Sequence, residues 1–467
     1  MSGPPASSAR QLASSLVASL AEREPQLVEA GGIDIGPALE QQLFFVARDQ
    51  VQDGGDEGPP LRDSVAGIAR LVGASFGSLL GTAPPPRAEV VVLLREPTHY
   101  PVLMRLGAEL ERLGGPQPVL LRVGRAARVA PQAIERRRFS APRLATQLAP
   151  SSVPAVAAFQ ARVAARLVGA TEHWPIRMRQ VAARELPRIA LGAIALRDAA
   201  GRRQARLLVA FDEVGTWARI VPAVAHALGI SSLDLPHAEA ADPDAIRGAG
   251  YDRMAVYGEA AARVLREAGI PSERIVAIGA PRFDPLLDGS AYAAVPDEDA
   301  DAVRRVVYAE QYVTGAMTAE ALAECRAAAR AAVAAAAPAE LVSVPHPVAG
   351  TDGQELHHAL PGAWAMVTGW SNSVLEAAIA GVPSIAVNPG GLAPVDYAAE
   401  GLALGASDAE TAAAAARLLL DPDERAAAIA RARAALPERI GPLDGGATER
   451  AARLVLRMID ADVGGPL

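Results

Sequence analysis

Short runs of uninterrupted apolar residues, each followed by a segment with helical spacing, recur along most of the chain and limit what it can fold into. EVVVLL, PVLLRV, RLLVAFDE, SSLDLPH, DRMAVYG and RIVAIG alternate with helical stretches such as YPVLMRLGAELERLGG, TWARIVPAVAHALGI and EAAARVLREAGI. Strands that are apolar throughout must be buried on both faces, and a parallel sheet covered by helices on each side achieves this. The alternation lapses in the polar, acidic segment DPLLDGSAYAAVPDEDADA and starts afresh with RRVVYAEQYV, ELVSVPHP, WAMVTGW, PSIAVNPGG and GLALGA. Two successive blocks of this kind predict an α/β chain of two Rossmann-like domains facing a central cleft, a division that suits 467 residues.

The expected boundaries follow the composition. Residues 1–82 read as an N-terminal helical appendage, with helix spacing in ALEQQLFFVARDQV and RDSVAGIARLVGASFGSLLG. Pro84, Pro85 and Pro86 form a stiff linker into a first lobe over 83–290, which includes a long helical stretch at about 150–196. A second lobe spans 291–467 and ends in two closing helices, after Asp423 and from about Thr448 to Ile459.

Charge and residue usage exclude several functions. The net charge of −8 argues against a nucleic-acid partner, which needs a concentrated basic surface. All 45 basic residues are arginine, so a Walker A loop, a Schiff-base lysine and a pyridoxal-phosphate site are ruled out together. The single Cys325, in the alanine-rich helix AEALAECRAAARAAVAAAA, reads as a buried thiol. No metal-ligand cluster stands out. The first residues lack the continuous apolar core of a signal peptide, and no run is long enough to span a bilayer, so the expected location is cytoplasmic. SVAGIARLVGASFGSLLG is apolar enough for peripheral contact at the inner face of the plasma membrane or for homodimerisation, with core packing as the other use.

Candidate site residues lie where strands end, the edge at which open α/β sheets bind ligands. In TGWSNSVLEAAIAGVPSIAV a strand ends near Trp370 and a helix opens at Ser371, Asn372 and Ser373. Backbone N–H groups and hydroxyls there would hold a diphosphate without lysine. The competing reading is a capping box, since Ser373 and Glu376 have S-x-x-E spacing. VSVPHP delivers His346 to a strand end, either to donate to a phosphate oxygen or to bond its own loop. LDLPHAEA places His237 and Glu239 after a strand, where either could act as a general base; a loop-satisfied histidine is the alternative. Asp212 and Glu213 end RLLVAFDE and could face a ligand or cap the helix near Thr216. In VAIGAPRFDPL, Gly279 permits a tight turn and Arg282 could meet an anion or pair with Asp284; Gln311 could bond a base or sugar edge.

The order LPHAEA, DRMAVYGEAAARVLREAGIPSERIVAIGAPRFD, PHP and WSNSVLEAAIAGVPSIAV, over roughly residues 205–400, resembles the GT-B superfamily of bacterial surface-polysaccharide enzymes. That group includes capsule glycosyltransferases, CDP-glycerol glycerophosphotransferases, sialyl- and Kdo-transferases and UDP-N-acetylglucosamine 2-epimerases. The resemblance implies a GT-B fold and a glycosyltransferase working without a bound metal or cofactor, the nucleotide sugar being a co-substrate. Its acceptor would be a glycan, a lipid-linked sugar or a small molecule in cell-envelope assembly. It also implies His237 as the catalytic or acceptor-side histidine, with Ala238 where the family usually has glycine. His346, Ser371 and Ser373 would lie at the donor diphosphate, and Glu376 at the ribose. A CMP- or CDP-linked donor and a non-catalytic GT-B-like binding protein are the alternatives.

Overall fold

A computed structural model describes residues 6–53, 85–124, 126–128, 141–236, 242–287, 303–313, 317–346, 355–391, 393 and 395–461. RDSVAGIARLVGASFGSLLG, His237 and Glu239 lie outside the described residues. The chain forms two compact units: Met1–Ala255 with Val264–Val276 and Glu449–Leu467, and Val256–Arg263 with Ala277–Thr448. Neither is contiguous in sequence.

The first unit begins with helix α1 (Ala6–Arg23), a short hairpin of β1 (Glu29–Ala30) and β2 (Ile33–Asp34), and α2 (Gly36–Asp53). Its main elements are β3 (Val90–Leu94), α3 (Tyr100–Arg112), β4 (Val119–Arg122), α4 (Val153–Ala170), α5 (Ile176–Arg203), β5 (Leu207–Ala210), α6 (Trp217–Leu228), β6 (Ser231–Asp234), α7 (Pro243–Ile246), β7 (Arg253–Val256) and β8 (Ile275–Ala277); between the last two runs α8 (Glu259–Glu267), whose residues through Arg263 belong to the second unit. The six strands lie in the order β4-β3-β5-β6-β7-β8, and the registered pairs from β4 to β7 are parallel. Every residue of β3 and β5 is buried, as uninterrupted apolar runs require. The long helical stretch expected at about 150–196 is two helices, α4 and α5, broken at the turn closed by Trp174 N–H to Thr171 carbonyl. Pro175, at the N-cap of α5, cannot continue α4.

The N-terminal helices are tied into this unit by a buried arginine. Arg219 of α6, 5% exposed, donates to Gln41 Oε1 at 2.9 Å and to the carbonyls of Ala245 at 3.0 Å and Arg247 at 2.8 Å. Gln41 in turn donates to the Ala245 carbonyl at 2.9 Å, so α2, α6 and the end of α7 share one polar knot. Arg10 reaches Gln41 Oε1 from α1 at 2.9 Å, and its guanidinium lies 3.8 Å from the centre of the Phe44 ring.

The second unit contains α9 (Asp284–Leu287), β9 (Arg304–Ala309), α10 (Ala319–Ala335), β10 (Ala339–Val344), α11 (Glu355–Ala359), β11 (Ala365–Thr368), α12 (Ser373–Ala380), β12 (Ser384–Val387), β13 (Leu404–Ala406), α13 (Ala409–Leu418) and α14 (Pro422–Ile440). Its five strands are parallel in the order β10-β9-β11-β12-β13. Alanine has a use here: Ala328, Ala329 and Ala332 of α10 and Ala412 and Ala416 of α13 are buried in one cluster, and their small side chains let the helix backbones approach closely. Cys325 sits in the same cluster, and burial pushes its thiol up to about 11, so it is inert at neutral pH. The last helix, α15 (Ala447–Ala461), opens on Asp284, whose carboxylate accepts the N–H groups of Ala447 at 3.1 Å and Thr448 at 2.7 Å.

In each sheet the second strand in sequence lies on one side of the first and the third lies on the other, so the winding reverses between β3 and β5 and between β9 and β11. A crevice opens at the carboxyl ends of the strands at such a reversal.

Replacing Arg219 by methionine strands several buried carbonyls and is expected to cost about 3 kcal/mol. Thermal melting would show it as a clearly lowered midpoint, whereas Arg112→Met, an exposed control on α3, leaves the midpoint unchanged. Equal melting of both variants would refute the role given to the knot.

Candidate functional site

In the second unit a cavity of about 340 Å³ lies over the carboxyl ends of β9, β10 and β11, at the reversal point of that sheet. Arg282, Gln311, His346, Ser371, Asn372, Ser373 and Glu376 all line it, together with Tyr312 and Trp370. Three strands deliver these groups to one edge: β9 runs into Gln311, β10 into His346 and β11 into Trp370 and Ser371. Parallel pairing makes the convergence unavoidable, because every carboxyl end then falls on the same side.

The turn into α12 is built differently from either sequence reading. No capping box forms, because Glu376 turns away to other partners and the Ser373 N–H is taken by Ser371 Oγ at 3.2 Å. The N–H groups of Val374 and Leu375 donate to the carbonyls of Ser371 at 3.1 Å and Asn372 at 3.0 Å. These tight bonds close the first turn: of the three positions expected to offer N–H groups, Ser373 is engaged by its own neighbour's hydroxyl, and the N–H groups of Val374 and Leu375 beyond it are taken as well. What the turn offers an anion is the positive end of the helix and the hydroxyls of Ser371 and Ser373. Asn372 Oδ1 accepts from the Tyr397 hydroxyl at 2.9 Å, which fixes the turn to the loop after β12. Gly381, at φ 73°, ends α12 in the left-handed conformation that residues with a Cβ avoid.

Glu376 is 4% exposed and held from two sides. Arg282 Nη2 donates to its Oε1 at 2.8 Å, and His357 Nε2 lies 3.1 Å from its Oε2. Burial alone would push this carboxyl up, but the His357 hydrogen bond and the Arg282 charge outweigh it and hold the carboxyl below its ordinary value. Arg282 is not paired with Asp284, which is committed to the start of α15; its guanidinium lies 5.0 Å from the centre of the Phe283 ring. His346 packs on Tyr312 with ring centres 4.5 Å apart, and burial lowers its pKa, favouring the neutral imidazole. Gln311 Nε2 donates to the Glu310 carbonyl at 3.3 Å. Gly279, at φ 87°, is not among the cavity-lining residues: its N–H bonds the Tyr257 carbonyl at 3.0 Å, and a Cβ added at Gly441 would lie 3.0 Å from its Cα.

The corresponding reversal in the first unit carries a buried charge cluster. Asp212, 2% exposed, accepts from Arg95 Nη1 at 2.9 Å and from the Gly215 N–H at 2.8 Å. It therefore fixes the turn before α6; the N-cap of α6 is Thr216, which receives no side-chain cap bond. The Asp212 N–H donates to Asp234 Oδ1 at 3.0 Å, and the fully buried Tyr251 hydroxyl donates to the Asp212 carbonyl at 3.3 Å. Three buried carboxyls, Asp212, Glu213 and Asp234, share this region with Arg95 and Arg219. Burial first, then repulsion from Glu213 and Asp212, pushes the Asp234 carboxyl well above its ordinary value. His237 and Glu239 follow β6 but lie outside the described residues.

Sequence reasoning overlooked His357, Arg95 and Asp234. Asp234 carried the same signal as Asp212, a carboxylate closing an apolar strand. The ion-pair partners are far away in the chain and left no local pattern. Among the described residues no group of His, Cys, Asp and Glu is arranged to hold a metal ion, and no helix is long and apolar enough to cross a membrane.

An acid whose folded pKa lies above its unfolded one supports the fold fully below the unfolded value and withdraws that support as pH rises through the folded one. Asp234→Asn keeps the acceptor for the Asp212 N–H. Its melting temperature is expected to match the parent chain near about pH 4 and to exceed it increasingly toward about pH 9; a constant offset across the series would contradict a protonated Asp234.

No protein-family model matches the chain, and no curated protein sequence matches it. Solved structures do. A putative UDP-N-acetylglucosamine 2-epimerase from Listeria monocytogenes aligns over 81% of this chain and 97% of its own, at 14% identity and a TM-score of 0.50. The wall teichoic acid polymerase TagF aligns over 86% of this chain and 97% of its own, at 11% identity and a TM-score of 0.48. HepE from Anabaena, solved with UDP-glucose, aligns over 79% of this chain and 100% of its own, at 10% identity and a TM-score of 0.44. The first of these likenesses shows the fold, which is that of the GT-B class.

Proposed function

We propose, with the GT-B fold as premise, that the chain is a nucleotide-sugar-dependent glycosyltransferase of surface-glycan or cell-envelope assembly. The observation that carries this reading is the cavity at the β9/β11 reversal, where the α12 helix terminus, two serine hydroxyls, a histidine and an arginine meet a buried carboxylate. In this reading the helix terminus, Ser371, Ser373, His346 and Arg282 receive a diphosphate, and Gln311 and Glu376 receive the polar edges of the nucleoside. The acceptor hydroxyl oxygen bonds to the anomeric carbon, the bond from that carbon to the diphosphate oxygen breaks with its electron pair, and a base takes the hydroxyl proton. His237 is assigned as that base, with Glu239 the runner-up and Asp212, whose Oδ1 accepts from Arg95 and the Gly215 N–H, a further candidate. Negative charge developing on the leaving diphosphate is met by Arg282 and the positive end of α12.

The experiment is a thermal-shift and calorimetric panel of UDP, GDP, CDP and CMP against the parent chain and the Ser371→Ala, Ser373→Ala double variant. One nucleotide should bind the parent, and the double variant should bind it roughly tenfold or more weakly, the loss of charge-assisted bonds being worth that much. Preference for CDP or CMP would assign a cytidine-linked donor. If a correctly folded double variant keeps the parent's affinity for each nucleotide, the donor site is misplaced.

A further inference from the structure

The two oxygens of Glu376 are not held alike. Arg282, which takes Oε1, comes from the segment just before α9, whereas His357, which takes Oε2, comes from α11, between β10 and β11. α11 is anchored by Leu356, which is buried in the core of the second unit and also lines the cavity. One turn of backbone therefore sets both a cavity wall and the position of the His357 ring. A glutamate side chain has a broad terminal torsion, so a carboxylate gripped at one oxygen can still swing its other oxygen through a wide arc. Gripped at both oxygens, it has one plane. An ionised carboxylate has about four acceptor positions, so two partners leave others for a ligand that brings hydrogen-bond donors.

We propose that His357 is a positioning residue of the cavity: by holding Oε2 it fixes the plane of the Glu376 carboxylate, and so sets how strongly the site prefers ligands that carry hydroxyl groups. This rests on the reading of the cavity as a nucleotide site. His357 acts through Glu376, so its loss shows as lost discrimination more than as lost binding. The neighbouring His358 is exposed and lies on the same helix, which provides a control for any general disturbance of α11.

The test measures affinities of the full chain for UDP, GDP and CDP, each beside its 2′-deoxy counterpart. The chains compared are the parent, His357→Ala, His357→Gln, His358→Ala and Glu376→Gln. The parent should prefer the ribonucleotide, and Glu376→Gln should largely abolish that preference. His357→Ala should cut the ribo-to-deoxy ratio by roughly tenfold, about one lost hydrogen bond, while the deoxynucleotide affinity stays near the parent's. His357→Gln, whose amide can donate to the same oxygen, should restore most of the ratio, and His358→Ala should leave it intact. Where the alanine variant does not fold, His357→Leu makes the same comparison at nearly constant volume. A parent chain that binds none of the diphosphates overturns the nucleotide reading and this role with it. Parent discrimination that depends on Glu376 but survives His357→Ala or His357→Leu overturns the role of His357 alone.

Discussion

Parallel strand pairing is the constraint from which the rest of the molecule follows. Parallel strands need long crossovers, the crossovers become helices, and the helices bury both sheet faces, which is why the strand sequences are apolar throughout. The same pairing sends every strand's carboxyl end to one edge. Polar groups excluded from the sheet can appear there, and the order β10-β9-β11-β12-β13 opens a gap in that edge between β9 and β11. The cavity is thus a consequence of topology before it is a consequence of any single side chain, and His346, Gln311 and Ser371 occupy it because their strands end there.

A chain without lysine meets negative charge with arginine, helix ends and hydroxyl groups. Arginine is the more exacting of the two cations, since its planar fork must be aimed. In the cavity Arg282 is aimed by Glu376, and in the first unit Arg95 is aimed by Asp212. Both pairings couple a partly accessible guanidinium to a buried carboxylate, so the cation is oriented without being wholly withdrawn from solvent. The two reversal points differ in what surrounds the carboxylate. Glu376 has a histidine beside its second oxygen and stays ionised, whereas Asp234, crowded by Asp212 and Glu213, is pushed toward its neutral form.

The fold was legible because it is written in periodicity, and the sheet edges were legible because strands announce their ends. VVVLL and LLVA needed no partner to be read as buried strands, and Trp370, His346 and Gln311 followed from where such runs stop. What periodicity does not encode is which side chain meets which across tens of residues. The S-x-x-E spacing at Ser373 promised a local bond, yet Arg282, 94 positions away, takes the carboxylate. The Ser373 N–H expected to face a ligand was lost for a similar reason: spacing marks where a helix starts, but not whether the Ser371 hydroxyl folds onto its first turn. Arg219 shows the same limit, since its partners on α2 and α7 are far away in the chain and it reads in isolation as one more surface arginine.

The interleaving of the two units has a consequence for how the protein is made. Translation runs from the amino terminus, and the segment Glu449–Leu467 belongs to the first unit although it is synthesised after Ala277–Thr448 of the second. The earliest unit to emerge is therefore the last to be completed. Until that segment is made, the six-stranded sheet lacks the flank that α15 covers, where Gly115 meets Leu456 and Arg206 meets the Ile459 carbonyl. The second unit receives all of its own segments first, so it can reach its final form on the nascent chain before its neighbour can.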